Sequence, residues 1–342
     1  VPATIADVAK RAGVSASTVS YVLSGNRPIS EATRRRVEES IAALQFRPHA
    51  GARSIRTRTT GVIAMATPLI YGLHNQVQMQ FVAATLARAR VHGLRVLMLT
   101  DDDGQAEIRD VVNRAMVDGV IVMEVRQHDL RVPLLESLSR PAVVIGTPVS
   151  DSLVHVDFDF TAAGEGCVDH LAGLGHRHLG YLGQSPETFE LETSYALRTR
   201  DGFFAACARA SVSGVWSPCE PTTEGVSAAL DALLREDPDL TGLVVYQESA
   251  LAMVLEQMQR RGYAIPQDLS VVAICPDELA TSIVPHVTAM SLPAEELASL
   301  AVDRLAGLIA ERDQPLRTIL PPSIASRDSA GPVPPRRRRR RA

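Results

Sequence analysis

Two short amphipathic runs that meet at Gly13 constrain this chain more than any other feature. Residues 4–23 read Thr-Ile-Ala-Asp-Val-Ala-Lys-Arg-Ala-Gly-Val-Ser-Ala-Ser-Thr-Val-Ser-Tyr-Val-Leu, with apolar residues at helical spacing on both sides of a glycine that can take a left-handed turn. The pattern predicts a helix-turn-helix. Thr4 and Asp7 form an N-cap pair for the first helix, and Ser15 stands where a cap starts the second. Ile5, Val8, Ala9, Val14, Val19 and Leu23 make one small core, closed by a third run from Ser30 to Leu44 through Val37, Ile41 and Leu44. Ala16, Ser17, Ser20 and Tyr21 fall away from this apolar set, at positions that reach base edges when such a helix enters a major groove.

The segment after the third run, Arg47-Pro48-His49-Ala50-Gly51-Ala52-Arg53-Ser54-Ile55-Arg56-Thr57-Arg58-Thr59, is too basic and too poor in apolar residues to fold alone. It has the composition of a hinge that orders on DNA. Together with the pattern Ile-x-Asp-Val-Ala-x-x-Ala-Gly-Val-Ser-x-x-Thr-Val-Ser, met from Ile5 to Ser20, this stretch resembles the DNA-binding head and hinge of the lactose-repressor/galactose-repressor (LacI/GalR) family. The resemblance implies a sequence-specific transcriptional regulator, most often a repressor.

Charge supports that division of labour. Residues 1–59 carry a net +6 and Arg336–Arg341 another +6, so the total of −4 leaves −16 on residues 60–335. The head suits phosphate, and the acidic body suits sensing or assembly. The Arg336–Arg341 block sits in a Pro- and Arg-rich segment, 329–342, that reads as a disordered, solvated tail. No apolar run approaches the ~20 residues of a spanning helix, and nothing resembles a signal peptide, so the expectation is a cytoplasmic protein without a membrane partner. Cys167, Cys207, Cys219 and Cys275 lack metal-ligand spacing, so no metal and no cofactor are expected.

From Thr60 onward, short apolar runs alternate with helical patterns. Val62–Met65, Arg95–Leu99, Val120–Met123 and Ala142–Ile145 read as buried parallel strands, and Val77–His92 and Glu107–Val117 as crossover helices. A second set follows, with strands at Leu179–Leu182, Gly242–Val245 and Ser270–Ile274 and helices at Thr161–Leu174, Asp201–Ala210, Val226–Arg235 and Ala250–Arg261. The fold class is α/β: a three-helix head and hinge, then two lobes with doubly wound parallel sheets. The resemblance continues through Val156-Asp157, Ala163-Gly164, His170–Leu179 and Asp268–Val272. It implies a periplasmic-binding-protein-like body whose chain crosses between lobes three times. The implied divisions are 1–46 (head), 47–60 (hinge), 61–156 with 287–328 (first lobe), 157–286 (second lobe) and 329–342 (tail).

In such a head Ala16, Ser17 and Tyr21 contact bases, while Thr4, Ser15, Thr18, Ser20, Asn26, Arg34, Arg53 and Arg56 fix register, mainly on phosphates. Ile55 matches the position whose leucine wedges a base step in the family. The resemblance also implies a small polar effector, commonly a sugar, bound between the lobes on loops after the strands. Its matched positions depart from the common pattern. Thr199, flanked by Arg198 and Arg200, replaces an arginine; Gln247-Glu248 replace Asn-Asp; and Cys275 replaces an aspartate, with Asp277 the nearest acid. Tyr71, His74 and Asn75 complete the candidate effector set. These departures leave room for a regulator of a non-sugar metabolite.

Two other classes fit less well. A solute-binding protein of a transport system accounts for the lobes but not for the head. An enzyme is disfavoured because the chain lacks a Gly-x-x-x-x-Gly-Lys-Ser/Thr loop, a Gly-x-Ser-x-Gly elbow and a His-Glu-x-x-His helix. The leucine-heptad helix of tetrameric family members is missing, so a homodimer on an inverted-repeat operator is expected.

Overall fold

The computed structural model describes residues 3–24, 27–46, 59–68, 76–101 and 104–333. The chain divides into two compact units, Val1–Thr60 and Gly61–Ala342.

Local chemistry sets the head's three helices, α1 (Ile5–Ala12), α2 (Ala16–Ser24) and α3 (Glu31–Ala43). At the start of α1 the Asp7 amide donates to Thr4 Oγ1 (3.3 Å) and the Thr4 amide donates to Asp7 Oδ2 (2.8 Å), a reciprocal capping box. Gly13, at φ 64° and ψ 40°, ends the helix in the left-handed region and turns the chain into α2. The Thr18 amide donates to Ser15 Oγ (3.1 Å), which caps α2, and Ser30 caps α3 through Thr33. Val8, Ala9, Ala12, Val19, Val37 and Phe46 form the buried core, with Val14, Ile41 and Leu44 packed at its edge. Ile5 and Leu23, expected inside, are 36% and 39% exposed. Each sits at the outer end of its helix, past the reach of the other two. Phe46, just after α3, fills the base of the core instead.

The second unit holds two sheets. In the first, β1 (Val62–Ala66), β2 (Arg95–Leu99), β3 (Gly119–Val122), β4 (Ala142–Ile145), β5 (Val154–Phe158) and β11 (Arg317–Leu320) lie in the order β11-β5-β4-β3-β1-β2, all parallel. The second contains β6 (His178–Leu182), β7 (Ser213–Ser217), β8 (Gly242–Val245), β9 (Ser270–Cys275), β10 (Thr288–Ser291) and β12 (Ile324–Ala325) in the order β12-β10-β9-β8-β6-β7. It is parallel except for the short β12 edge. The central strands are buried along their whole length, as β3, β4, β8 and β9 show, because helices cover both faces.

Three crossings join the sheets: after β5, after β10 and after β11. The second comes later than the sequence indicated, since Thr288–Ser291 pairs with β9 and stays in the second lobe. Helix Ala294–Ile309 then packs on the first sheet, burying Leu297, Ala301, Val302 and Leu305. The chain also returns to the second lobe before 328. Ser329, expected in a disordered tail, is fully buried; its hydroxyl donates to the Val271 carbonyl (2.6 Å) and accepts from the Thr288 amide (2.8 Å). The Val333 amide donates to the Leu174 carbonyl (2.9 Å). Backbone and hydroxyl partners supplied by distant strands hold a segment whose composition alone carries no ordering signal. The Arg336–Arg341 block lies outside the described residues.

Helices Phe160–Gly173 and Ser194–Ala210 pack unusually closely. A Cβ on Gly164 would lie 2.3 Å from the Thr199 carbonyl oxygen, and one on Gly202 would lie 2.2 Å from that of Thr161. This contact sets the rotation of the second helix and so decides which of its polar residues face the space between the sheets.

Candidate functional site

A cavity of about 180 Å³ opens between the two sheets. Its wall comes from residues just past strand carboxyl ends: Pro68 after β1, Met123, Glu124 and Val125 after β3, Gly146 after β4, Gln184 and Ser185 after β6, and Tyr246, Gln247 and Glu248 after β8. This is where open parallel sheets bind ligands. Helix starts add to it, with Val77, Gln78 and Phe81 from Gln76–Val91, Phe160 from Phe160–Gly173, Ser194, Tyr195 and Arg198 from Ser194–Ala210, and Leu297 from Ala294–Ile309.

Asp157, 2% exposed on β5, anchors the polar side. Its Oδ2 accepts from Arg198 Nη2 (2.5 Å) and from Thr147 Oγ1 (2.7 Å), while Oδ1 accepts from the Phe158 amide (2.8 Å). Burial raises the Asp157 carboxyl, and the guanidinium and hydroxyl pull it the other way. Arg198 also donates through Nε to Ser194 Oγ (3.2 Å) and lies 5.5 Å from the Phe160 ring centre. Phe160, Tyr195 and Tyr246 form an aromatic trio with ring centres 5.6–6.0 Å apart.

Two further carboxyl groups face the space. Gln184 Nε2 donates to Glu248 Oε2 (2.9 Å), and Gln78 Nε2 reaches Glu124 Oε1 (3.4 Å) while also donating to Thr67 Oγ1 and the Pro68 carbonyl. Burial pushes Glu124 up to about 7, with Arg131 and Arg126 drawing it down and Glu248 pushing it up. Glu248 is raised by burial as well. Glu124 holds a left-handed backbone, φ 56°, which a non-glycine residue adopts at some cost.

The candidate effector residues divide sharply. Arg198, Gln247 and Glu248 are on the cavity wall; Gln247 is nearly buried and donates to the Cys219 carbonyl (3.1 Å). Thr199 is not. It is fully buried against the neighbouring helix and donates to the Tyr195 carbonyl (2.8 Å). Arg200 points elsewhere too, 5.3 Å from the Trp216 ring centre and paired with Asp201 at 3.1 Å. A helix turns about 100° per residue, so once Ser194, Tyr195 and Arg198 face the cavity, Thr199 and Arg200 face away. Asp277 is also off the wall, ion-paired with Arg327. Tyr71, His74 and Asn75 lie outside the described residues.

Residues the sequence reading passed over include Gln78, Glu124, Asp157, Gln184, Tyr195 and Tyr246. A local signal existed for some of them. Glu124 and Tyr246 each directly follow an apolar strand run, as Gln247-Glu248 do.

In the head, Thr4, Ser15, Ala16, Ser17 and Arg34 are exposed and Thr18 is half-buried. Ser20 is 9% exposed, which removes it from the solvent face where the sequence pattern set it. Tyr21 lies under the Arg27 guanidinium, 5.2 Å from its ring centre. Asn26, Arg53, Ile55 and Arg56 are outside the described residues. Among the described residues no cluster of His, Cys, Asp or Glu is placed to hold a metal, the four cysteines are free and buried, and no helix is long and apolar enough to cross a membrane.

A helix-turn-helix head on a two-lobed body with a cavity between parallel sheets defines a ligand-binding DNA regulator as the class. Residues 4–49 match the bacterial regulatory proteins of the lacI family, and residues 168–330 match a periplasmic binding protein-like domain. The chain is similar to the transcriptional repressor PurR of Aliivibrio fischeri (strain MJ11), at 28% identity over 96% of this chain and 98% of that protein. It is also similar to the transcriptional regulator CelR of Thermobifida fusca, at 26% identity over 95% and 98%. Among solved structures, a lac repressor dimer bound to operator and the anti-inducer ONPF has a TM-score of 0.83 at 22% identity, covering 97% of this chain and all of that one. A CelR–cellobiose complex has a TM-score of 0.68 at 22% identity, covering 96% and 100%. The chain belongs to the LacI family and is a DNA-binding transcriptional regulator, not an enzyme.

Proposed function

We propose that this regulator is a repressor that binds an inverted-repeat operator as a homodimer, with operator affinity set by a small polar effector held between its lobes. The observation that carries the reading is the cavity itself, whose wall draws polar residues from both sheets. A ligand there has differential contacts with open and closed arrangements of the lobes, which is what a shift between conformations requires. Its volume, about 180 Å³, lies below the ~300–1,000 Å³ of drug-sized sites and suits a compact metabolite. Gln247, Glu248 and Arg198 are the direct ligands in this reading.

On DNA, Ala16, Ser17 and Tyr21 read base edges, Thr4, Ser15, Thr18 and Arg34 hold phosphates, and Ile55 serves as the minor-groove wedge between Arg53 and Arg56. Footprinting on a dyad-symmetric site tests the dimer, with two half-sites about one to two helical turns apart expected to be protected. Protection of one unpaired half-site by a monomer overturns it. Glu248→Ala is expected to weaken the effector response while sparing operator affinity. Unchanged effector affinity in calorimetry would move the site elsewhere.

A further inference from the structure

We propose that the ligand of this cavity is a small hydroxylated cation, a compound that carries a protonated amine beside its hydroxyl groups. The proposal rests on the reading of the cavity as the effector site. Among the described residues, the ionisable carboxylates and bases of the wall are Glu124, Asp157, Glu248 and Arg198. Arg198 and Asp157 meet at 2.5 Å and cancel. Among the described residues, what remains is two carboxyl groups with no cation opposite them on the wall.

The nearby cations do not change this balance. Arg131 acts on Glu124, but its guanidinium is held by the buried Asp129 carboxylate (2.7 Å) and donates its remaining reach to the Glu124 carbonyl (2.9 Å). Arg126 also draws Glu124 down, yet burial and Glu248 together outweigh both arginines and leave the group near 7. Gln78 and Gln184 hold the two carboxyl groups through amide N–H donors, which orient them without neutralising them and leave acceptor positions unfilled.

Each class of ligand then meets a different electrostatic outcome. An anion would add a third negative charge beside Glu124 and Glu248, and Arg198 is already committed to Asp157. A neutral polyol leaves both carboxyl groups to be discharged by protonation. An ammonium replaces that proton and donates a charge-assisted hydrogen bond to each carboxylate. The aromatic trio adds to this preference, since ring faces attract cations. Tyr246, 2% exposed and on the wall, carries a hydroxyl that can accept from an ammonium or donate to a ligand hydroxyl. Glu124 follows a strand of the first sheet and Glu248 a strand of the second, so a cation held by both joins the lobes.

Calorimetry on the full-length protein near neutral pH tests this with matched sugars: glucosamine, galactosamine and mannosamine, their neutral parents glucose, galactose and mannose, and the three parent 6-phosphates. An amine and a hydroxyl at the same ring position have nearly the same size, so the comparison isolates charge. At least one amino sugar is expected to bind about tenfold or more tighter than its parent and its 6-phosphate. Glu124→Gln and Glu248→Gln should each weaken the amine more than its neutral parent and so remove most of that margin. A neutral or phosphorylated sugar that binds better than every amine overturns the proposal, as does the failure of all three amines to bind at millimolar concentration. Ser194→Phe, which fills the cavity, separates this from the underlying reading. If a neutral sugar binds best and Ser194→Phe abolishes that binding, the site stands and the cation falls; if binding of any of these sugars survives Ser194→Phe, the site itself is wrong.

Discussion

Arg198 Nη2 lies 2.5 Å from Asp157 Oδ2, and the pair ties β5 of the first sheet to a helix that packs on the second. Asp157 is almost wholly enclosed, so removing its charge strands the guanidinium beside a desolvated wall. Asp157→Asn should lower the unfolding free energy by about 2 kcal/mol, the scale of a hydrogen bond between charged groups, reduced from a fully buried pair because Arg198 keeps some solvent contact. Urea unfolding of the full chain measures it. A change below about 0.5 kcal/mol, the size of an ordinary surface substitution, would mean the pair does not join the lobes.

Glu124 makes the body's stability pH-dependent. Its folded pKa of about 7 lies above the ~4.3 of an exposed glutamate, so the folded state holds the proton more tightly. The stabilisation this supplies is complete below ~4.3 and is lost as pH rises through about 7. Glu124→Gln escapes that loss and should gain about 2 kcal/mol on the parent protein between mildly acidic and mildly basic pH. Unfolding curves at both ends of that window are the check, and a constant difference across it counts against the buried carboxyl.

Gly164 and Gly202 should tolerate no side chain. An added methyl group at either meets a backbone carbonyl at 2.3 or 2.2 Å, and backbone in a packed helix pair cannot swing aside as a flexible side chain does. Gly164→Ala and Gly202→Ala should each cost about 3 kcal/mol, the upper part of the range for overpacking. Because the same contact orients Arg198, effector binding should weaken alongside stability. Near-native urea midpoints for both variants would contradict the close packing.

Gly13 presents the opposite case. Its Cβ position is open, with nothing within 4 Å, but φ is 64°. Gly13→Ala therefore costs only the left-handed backbone, about 1 kcal/mol. Amide hydrogen exchange within residues 4–46 of the full chain should show a loss of protection confined to the head, and the body's unfolding should be unaffected. Equal losses in both units would refute this.

Much of the architecture is legible in the chain because its signals are local. The capping pair Thr4 and Asp7, the turn at Gly13 and the apolar runs of β1–β4, β6, β8 and β9 all report on residues a few positions apart. Ile5 and Leu23 fail that logic, since periodicity gives a helix face but not how far along the helix its partners extend. The cavity was legible in part. Gln247 and Glu248 lie where a strand ends, and that position is visible in sequence.

What the amino-acid sequence determined by itself is the family, the head and the alternation of strands and helices, each a matter of short-range pattern. Tertiary structure alone decided that Arg198 faces the cavity while Thr199 and Arg200 do not, because the rotation of their helix is fixed by Gly164 and Gly202 against a helix more than thirty residues away in the chain. It alone brought Glu124 and Glu248 into one space, and it alone ordered Ser329 through Val271 and Thr288. Those outcomes depend on the free energy of packing between distant segments, which no window of sequence contains.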